Sequence, residues 1–291
     1  MNFAFQVVTI WDLFRLSLRI YVTHFVPVTL MTALMLAPCI ILGVSGFFGP
    51  EMIVFFLSER MIEAVMTLGI IALGLRPVFP VTRLFQTMKS SLFFSSMHIA
   101  IIQYLIFATG MMGLFVSSFP INVVIVTLWI SSIIFFSLAQ PIFITEGLRS
   151  FQALNRSLQI IRPLFARVFL IVMVIKFLQV VLPTLMTLIL LPENAIPVAE
   201  NPDEMMKALT EFLQNPDVLW SIRLSQYTTS LFLAPFSAIV FSLLCLNLLN
   251  IQGQLNMERF IRIGTFLQGL DLPPESPDAS QESASDNSEQ S

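Results

Sequence analysis

The stretch INVVIVTLWISSIIFFSLAQPIFI, residues 121–144, contains 24 residues and no charged side chain. A helix of about 20 mostly apolar residues crosses the hydrocarbon core of a bilayer, because that core is about 30 Å thick and each residue adds about 1.5 Å. The apolar residues are continuous and do not alternate with polar ones, which favours a helix over a strand of a membrane barrel. The stretch therefore predicts a transmembrane α-helix.

Further apolar runs lie on both sides of this stretch, at residues 25–48, about 62–75, 93–115, 168–191 and 227–249. The run at 62–75 is short, and its upstream extension contains Glu59, Arg60 and Glu63, which bare hydrocarbon rejects. We therefore expect its outer end in the interface or against other helices. Overall, 56% of the residues are hydrophobic and 11% are charged, against about 45–50% and about 25% in soluble domains. These features predict an all-α, polytopic membrane protein with six transmembrane helices.

The distribution of lysine and arginine predicts the orientation, because cytoplasmic loops retain an excess of them. With the N-terminus inside, 11 basic residues are cytoplasmic, three (Arg60, Lys207 and Arg223) lie outside, and Lys176 lies within a span. The cytoplasmic set is Arg15, Arg19, Arg76, Arg83, Lys89, Arg149, Arg156, Arg162, Arg167, Arg259 and Arg262. The count predicts a multi-pass protein of a bacterial inner membrane with both termini in the cytoplasm.

Two segments outside the spans have their own character. Residues 271–291 contain six acidic and no basic residues, and they lack the apolar residues needed to offset ordering entropy. We therefore expect a disordered acidic tail after a membrane domain at 1–270.

Asn201 and Pro202 predict the start of a short helix in the loop before the last span. Asn215 and Pro216 likewise predict the start of the helix that becomes that span.

A threefold pattern appears when Phe14, Phe85 and Phe151 are aligned. Polar residues stand two before, one after and five after each phenylalanine: Asp12, Arg83 and Arg149; Arg15, Gln86 and Gln152; Arg19, Ser90 and Arg156. This spacing places them on one helical face, with Leu148, Phe151, Leu154, Leu158 and Ile161 on the other face of the third copy. The pattern predicts three repeats, about 9–80, 81–146 and 147–262, each an interfacial amphipathic helix followed by a transmembrane hairpin. The alternative is that amphipathic stretches precede spans in any polytopic protein.

The segment PIFITEGLRSFQALNRSLQIIRPLFARVFLIVMVI, residues 141–175, carries a resemblance to a known family. A proline near the inner end of a span is followed by a glutamate, an alanine and a serine before the next span, here Pro141, Glu146, Ala153 and Ser157. In this respect the chain resembles the membrane domain of bacterial glycerophosphoryl diester phosphodiesterases and the YciC-like integral membrane proteins. The resemblance implies a six-span membrane module of unassigned activity, and no segment here could form the phosphodiesterase barrel itself.

Polar residues within the spans are the candidate functional residues, because such groups are costly in hydrocarbon. Lys176 lies about 13 Å along its helix from the inner boundary. We expect it to face the bundle interior with its ammonium near an oxygen atom, first of Gln140 and second of Glu146. Gln103 and Gln179 complete this set. Glu146 has a second interpretation, as a cap or partner of an arginine in the next helix, with gating or substrate contact as the alternative.

The remaining titratable residues predict no catalytic, cofactor-binding or metal site. His24 and His98 have no partner at ligand or triad spacing. Glu59 and Glu63 share a helical face, as a cation site would require, but an interfacial ion pair is the simpler interpretation. We expect a non-enzymatic module that requires no cofactor and binds no nucleic acid.

Two functional hypotheses remain at this level. The first is a module that organises lipids or protein partners, with its basic helices on anionic headgroups of the cytoplasmic face. The alternative is a transporter or permease for small molecules or lipids with a path between the repeats. A transporter should have a polar cavity near the middle of the spans lined by Gln103, Gln140, Lys176 or Gln179, whereas an organising module should pack these groups against each other.

Overall fold

A computed structural model describes residues 9–45, 48–88, 91–113, 119–191, 212 and 215–269. Throughout these ranges the regular secondary structure is helical and contains no strand, so the predicted all-α class is confirmed. In chain order the helices are α1 (Ile10–Thr23), α2 (Phe25–Val44), α3 (Phe48–Leu75), α4 (Val81–Met88), α5 (Ser91–Gly113), α6 (Phe119–Phe135), α7 (Ala139–Glu146), α8 (Ser150–Ile161), α9 (Phe165–Leu190), α10 (Pro216–Ile251) and α11 (Met257–Gln268).

Within the described ranges, four helical stretches are long and apolar enough to cross a membrane. They are Phe25–Val44, Pro120–Glu146, Ser150–Leu190 and Pro216–Ile251, which indicates a membrane protein. They include four of the predicted apolar runs. The other two runs lie in α3 and α5. Of these, α3 carries several charged residues, and α5 contains only a shorter apolar segment, Ser96–Gly110.

Helices α3 and α10 form the centre of the bundle and pack against each other. Residues 61–74 of α3 are all buried, and so are residues 237–249 of α10. Around them pack α1, α2 and α9 on α10, and α2, α5 and α11 on α3. In contrast, α6 and α9 expose large apolar side chains such as Leu128, Val180 and Ile189. An apolar exterior of this extent fits contact with lipid better than contact with water.

A proline stands where the run at 121–144 divides into two helices. Pro141 has no backbone N–H, and in a regular helix its ring would clash with the carbonyl of residue 137. Accordingly α6 ends at Phe135 and α7 begins at Ala139. Between them, hydrogen bonds span three residues instead of four: Ser137 N–H bonds the Ile134 carbonyl, and Ala139 N–H bonds the Phe136 carbonyl. The offset directs the buried side chains of α7 toward α3 and α5.

The three predicted amphipathic helices are confirmed as helices α1, α4 and α8, although Lys89 and Ser90 lie outside the described residues. Thr9 begins α1, since its side chain accepts the Asp12 N–H. The buried face of α8 differs from the predicted one. Leu154 and Ile161 are buried, but Phe151 is 75% exposed, whereas Phe14 packs on the core. Phe14 and Phe151 therefore do not share one environment.

Two further helix starts bear on the predictions. Asn215 begins α10 as predicted, because its side-chain oxygen accepts the Asp217 N–H at 2.9 Å and Pro216 occupies the first helical position. The helix predicted after Asn201 lies outside the described residues, as does the predicted tail at 271–291. The amphipathic helix α11, which the sequence analysis did not predict, starts at Asn256, whose side chain accepts the Arg259 N–H.

Candidate functional site

A group of charged residues, Glu59, Arg60 and Glu63, lies in the middle part of α3, close to residues of α9 and α10. Arg60 and Glu63, one turn apart, form an ion pair with Nη1 and Oε2 at 2.8 Å, and their side chains are only 12% and 3% exposed. The Arg60 guanidinium also lies 5.6 Å from the centre of the Phe56 ring. Within the described part of the chain, Arg60 Nε and Glu63 Oε1 have no hydrogen-bond partner. The pair is therefore buried but incompletely satisfied.

Two adjoining cavities lie between α3, α9 and α10 at this level. The larger holds about 130 Å³ and is lined by Phe55, Glu59, Gln179, Pro183, Gln226, Thr229, Ser230, Leu233 and Ala234. The smaller holds about 10 Å³, close to the minimum for one water molecule, and is lined by Glu59, Arg60, Glu63, Gln179, Ala234, Ser237, Ala238 and Phe241. Glu59, Gln179 and Ala234 line both cavities. We call the two together the polar track.

Glu59 is the central charge of the polar track. Ser230 Oγ lies 3.5 Å from Glu59 Oε1, at the limit of hydrogen bonding. Among the residues that the structure describes, no basic group lies within ion-pairing distance of the Glu59 carboxylate. Since Arg60 is paired with Glu63, Glu59 has a carboxylate that is available to a bound molecule.

Lys176 and Gln179 supply the α9 side of the track. Lys176 Nζ donates a hydrogen bond of 2.7 Å to Gln179 Oε1, and Lys176 interacts electrostatically with Arg60, Glu59 and Glu63. Gln179 follows the first residue of α9 by 14 positions, about 21 Å along the helix. Ser230 follows the first residue of α10 by the same number. The track thus lies at the middle of the 26-residue α9 and in the first half of the 36-residue α10.

A second buried charge cluster joins the start of α3 to α10. The Tyr227 hydroxyl donates to the Glu51 carboxylate, and Arg223 Nη2 lies 3.5 Å from Glu51 Oε2. Arg223 Nη1 also donates to the Gly43 carbonyl of α2 at 3.2 Å. The cluster ties three helices together close to one end of the track. Glu51 was not predicted as a site residue, and its one signal in the sequence is the position of an acid immediately before an apolar run.

Two predicted site residues, Gln103 and Gln140, lie away from the track, in what we call the polar tie (Ser96, Gln103 and Gln140). Gln140 Oε1 accepts from Ser96 Oγ, and Gln140 Nε2 donates to the Ser96 carbonyl, both at 2.9 Å. Gln103 Nε2 donates to the Phe136 carbonyl at 2.7 Å. These bonds join α5 to the α6–α7 region. Gln103 and Gln140 are therefore packed against neighbours, as an organising module would require, whereas Gln179 lines a cavity.

The predicted partners of Lys176 were wrong. Gln140 bonds Ser96, and Glu146 bonds Arg156. The reason is packing, because α9 packs mainly on α10, whereas α7 packs mainly on α8, α3 and α5. Lys176 instead finds its oxygen acceptor one turn along its own helix, at Gln179.

The four family-motif positions meet at the junction of α7 and α8. Arg156 Nε lies 3.0 Å from Glu146 Oε2, which confirms the interpretation that Glu146 pairs with an arginine of the following helix. Ala153 and Ser157 are fully buried, and Ser157 Oγ donates to the Phe135 carbonyl at 2.6 Å. Gly147, with a φ of +68°, ends α7, a conformation that favours glycine. Together with Pro141, these residues shape the turn between two helices.

The histidines and cysteines take no part in the track. His24 stands between α1 and α2 beside the Phe79 ring, and His98 is exposed. Cys39 and Cys245 are free and buried. Across the described ranges, no group of three His, Cys, Asp or Glu residues could hold a metal ion.

No family model, curated protein or solved structure matches this chain. The resemblance of residues 141–175 to the phosphodiesterase membrane domain and to YciC-like proteins therefore remains a prediction. The polar track is the arrangement from which a function can be argued.

Proposed function

We propose that the chain is a transporter or permease that moves a small polar solute along the polar track. The observation that carries this proposal is the cavity of about 130 Å³ beside Glu59, inside the bundle between α3, α9 and α10 and away from the helix ends. An ionisable residue inside a membrane bundle is costly unless it has a partner or a function. Transporter binding sites are commonly found near the midplane between helices.

The proposal includes the six-span architecture with three repeats. In it, α3 and α5 are the second and third spans. α3 has 28 residues, about 42 Å of helix, and its central charges Arg60 and Glu63 are turned inward. α5 has 23 residues, about 35 Å. Both helices are thus long enough to cross the hydrocarbon core.

The orientation belongs to the same proposal. Both termini are placed in the cytoplasm of a bacterial inner membrane, from the 11-to-3 distribution of basic residues. A topology reporter fused after Leu270 should read cytoplasmic, and one inserted within residues 200–211 should read periplasmic. The reverse result at either position would contradict the six-span arrangement.

Hydration of the track tests the transport proposal directly. In a background in which Cys39 and Cys245 are replaced by alanine, we would introduce Ser230→Cys in the track, Ser96→Cys in the polar tie and Val180→Cys on the exposed face of α9. A membrane-impermeant thiol reagent that requires a thiolate should label only the first. Equal and slow labelling at Ser230 and Ser96 would show a dry track and overturn the proposal.

A second candidate function, organisation of anionic lipids, is supported by the outer faces of the amphipathic helices. Arg15, Arg19, Arg149, Arg162 and Arg262 are exposed on or next to α1, α8 and α11. Exposed Trp11 and Phe151 lie on the same helices. Basic residues near a membrane surface attract anionic headgroups by about 1 kcal/mol each. Identification of lipids that copurify after mild detergent extraction should show enrichment of anionic lipids, and the bulk composition would count against this candidate.

A further inference from the structure

The larger cavity of the polar track has one formally charged lining residue, Glu59. Arg60 and Glu63 neutralise each other and line only the smaller cavity. Lys176 is near, but it is not among the lining residues, and its ammonium is bonded to Gln179 Oε1. A molecule in the larger cavity therefore meets a carboxylate as its principal charged partner.

The uncharged polar groups around Glu59 complete a site for a hydrogen-bond donor. Thr229 and Ser230 contribute hydroxyls, and Gln179 and Gln226 contribute amides. Because Ser230 Oγ is 3.5 Å from Glu59 Oε1, the carboxylate is not saturated by its protein neighbour. An ammonium group has three donors and no acceptor, so it matches a carboxylate surrounded by hydroxyl oxygens.

Burial of Glu63 adds a second observation. This residue is 2% exposed, and its Oε1 lacks a partner among the described residues although the residue lines the smaller cavity. Because Oε1 itself is fully buried, it does not line the cavity surface, but it makes Glu63 a second incompletely satisfied carboxylate one turn from Glu59.

The other walls of the larger cavity are apolar. Phe55, Pro183 and Leu233 face the same space, and an aromatic face attracts a cation within about 6 Å. The volume of 130 Å³ accommodates at least about four molecules of water at roughly 30 Å³ each. The cavity thus suits a ligand with one cationic group and a short carbon chain.

We propose that the larger cavity binds a small solute with a protonated primary amine, held by Glu59 at its ammonium and by Phe55 and Leu233 along its carbon chain. An alkylammonium ion and an amino-acid zwitterion both have this group. The inference rests on the proposed function, since it names the class of solute that would move along the track.

Thermal unfolding of the full chain in detergent tests the binding. The probes are propylammonium chloride and the zwitterion 3-aminopropionate, with 1-propanol, sodium propionate and sodium chloride as controls at matched ionic strength. A ligand that binds only the folded state raises the unfolding temperature as its concentration increases. We expect a saturable rise with one or both amines and none with the three controls. The amine that raises the unfolding temperature at the lower concentration shows whether the site prefers an alkylammonium cation or an amino-acid zwitterion. An equal rise with propanol, propionate or sodium chloride overturns the inference.

Variants locate the site. Glu59→Gln should weaken amine binding by at least about tenfold, because it removes a charge-assisted bond. The matched control is Glu258→Gln, in an exposed pair with Arg262 on α11, and it should bind amines as the wild type does. If Glu59→Gln does not fold, Ser230→Leu fills the cavity and keeps the carboxylate, and it should also abolish the shift. Binding unchanged in either track variant contradicts the assignment.

The tests of amine binding and of transport can give different results, and each combination is informative. If amines bind in a Glu59-dependent way but the Ser230→Cys variant is not labelled, the amine site is supported and the transport path is contradicted. If the Ser230→Cys variant is labelled but amines do not raise the unfolding temperature, the path is supported and the assignment of an amine solute is contradicted.

Discussion

The polar track and the polar tie are both groups of polar side chains inside the helix bundle, and they differ in how completely they are satisfied. In the tie, both ends of the Gln140 amide bond Ser96, and Gln103 Nε2 bonds a carbonyl. Of the side-chain atoms described there, Gln103 Oε1 lacks a partner. In the track, Glu59 has no ion pair within the described residues, Glu63 Oε1 has no bond there, and the smaller cavity lies beside both residues.

This difference indicates that the polar tie holds helices together, whereas the polar track is suited to bind a molecule. Buried polar groups that satisfy one another hold helices in register at little net cost. Buried groups that remain unsatisfied around a cavity carry a cost that a ligand or water relieves. The two regions should therefore respond differently when a polar group is removed, and they should do so in measurable ways.

The largest expected effect follows from removal of one member of the buried pair in the track. Glu63→Leu leaves the Arg60 guanidinium without the carboxylate that lies 2.8 Å away. Loss of one partner of a buried pair costs about 3–5 kcal/mol, so we expect a much lower unfolding temperature in detergent, or failure to accumulate a folded protein.

The matched control is the double variant Arg60→Leu/Glu63→Leu. It removes both charges, and replacement of a complete buried pair by apolar residues is often neutral or stabilising. Recovery of most of the lost stability would show that the unpaired charge was the cause. A double variant as unstable as Glu63→Leu would instead show that these two side chains are needed for packing.

The next effect concerns the tie. Gln140→Leu leaves the Ser96 hydroxyl without the amide oxygen to which it donates. A buried donor without a partner costs about 1–3 kcal/mol, so the free energy of unfolding should decrease by that amount. Ser96→Ala/Gln140→Leu should restore part of it, because no donor is left unmatched. If the single variant is as stable as the wild type, the tie does not fasten α5 to α7.

Features that depend on residues close in sequence could be predicted. Asn215 with Pro216 predicted the start of α10, because helix caps are set by local geometry. The pairing of Glu146 with an arginine of the next helix could also be predicted, since the short connection from α7 to α8 keeps Arg156, ten residues later, within reach. The amphipathic helix α11 has a comparable signal, since Asn256, a favoured N-cap residue, stands before a stretch with apolar residues at helical spacing.

The partners between distant helices could not be predicted in the same way. The cost of a charge in hydrocarbon predicted that Lys176 would find an oxygen atom, and it did. Which oxygen depends on which helices pack together, and the hydropathy of α7 and α9 contains no information on that. Likewise Glu59 and Gln179 are each conspicuous polar residues in the sequence. Only the packing of α3 and α9 against α10 brings them to one cavity.

The smallest expected effect compares two serines, one from each region. Ser96 is 1% exposed, and its hydroxyl bonds Gln140 Oε1 at 2.9 Å. Ser96→Ala leaves that amide oxygen unsatisfied and should cost about 1 kcal/mol. Ser230 is half-buried beside the larger cavity and only 3.5 Å from Glu59 Oε1. Water in the cavity can replace its weak bond, so Ser230→Ala should change stability by less than about 0.5 kcal/mol.

The two substitutions are well matched, because each removes one hydroxyl oxygen from a helical serine and leaves a methyl group. Urea or thermal unfolding of the two variants in the same detergent measures the difference. If Ser230→Ala costs as much as Ser96→Ala, the track is as tightly packed and bonded as the tie, and the distinction between a fastening region and a binding region fails.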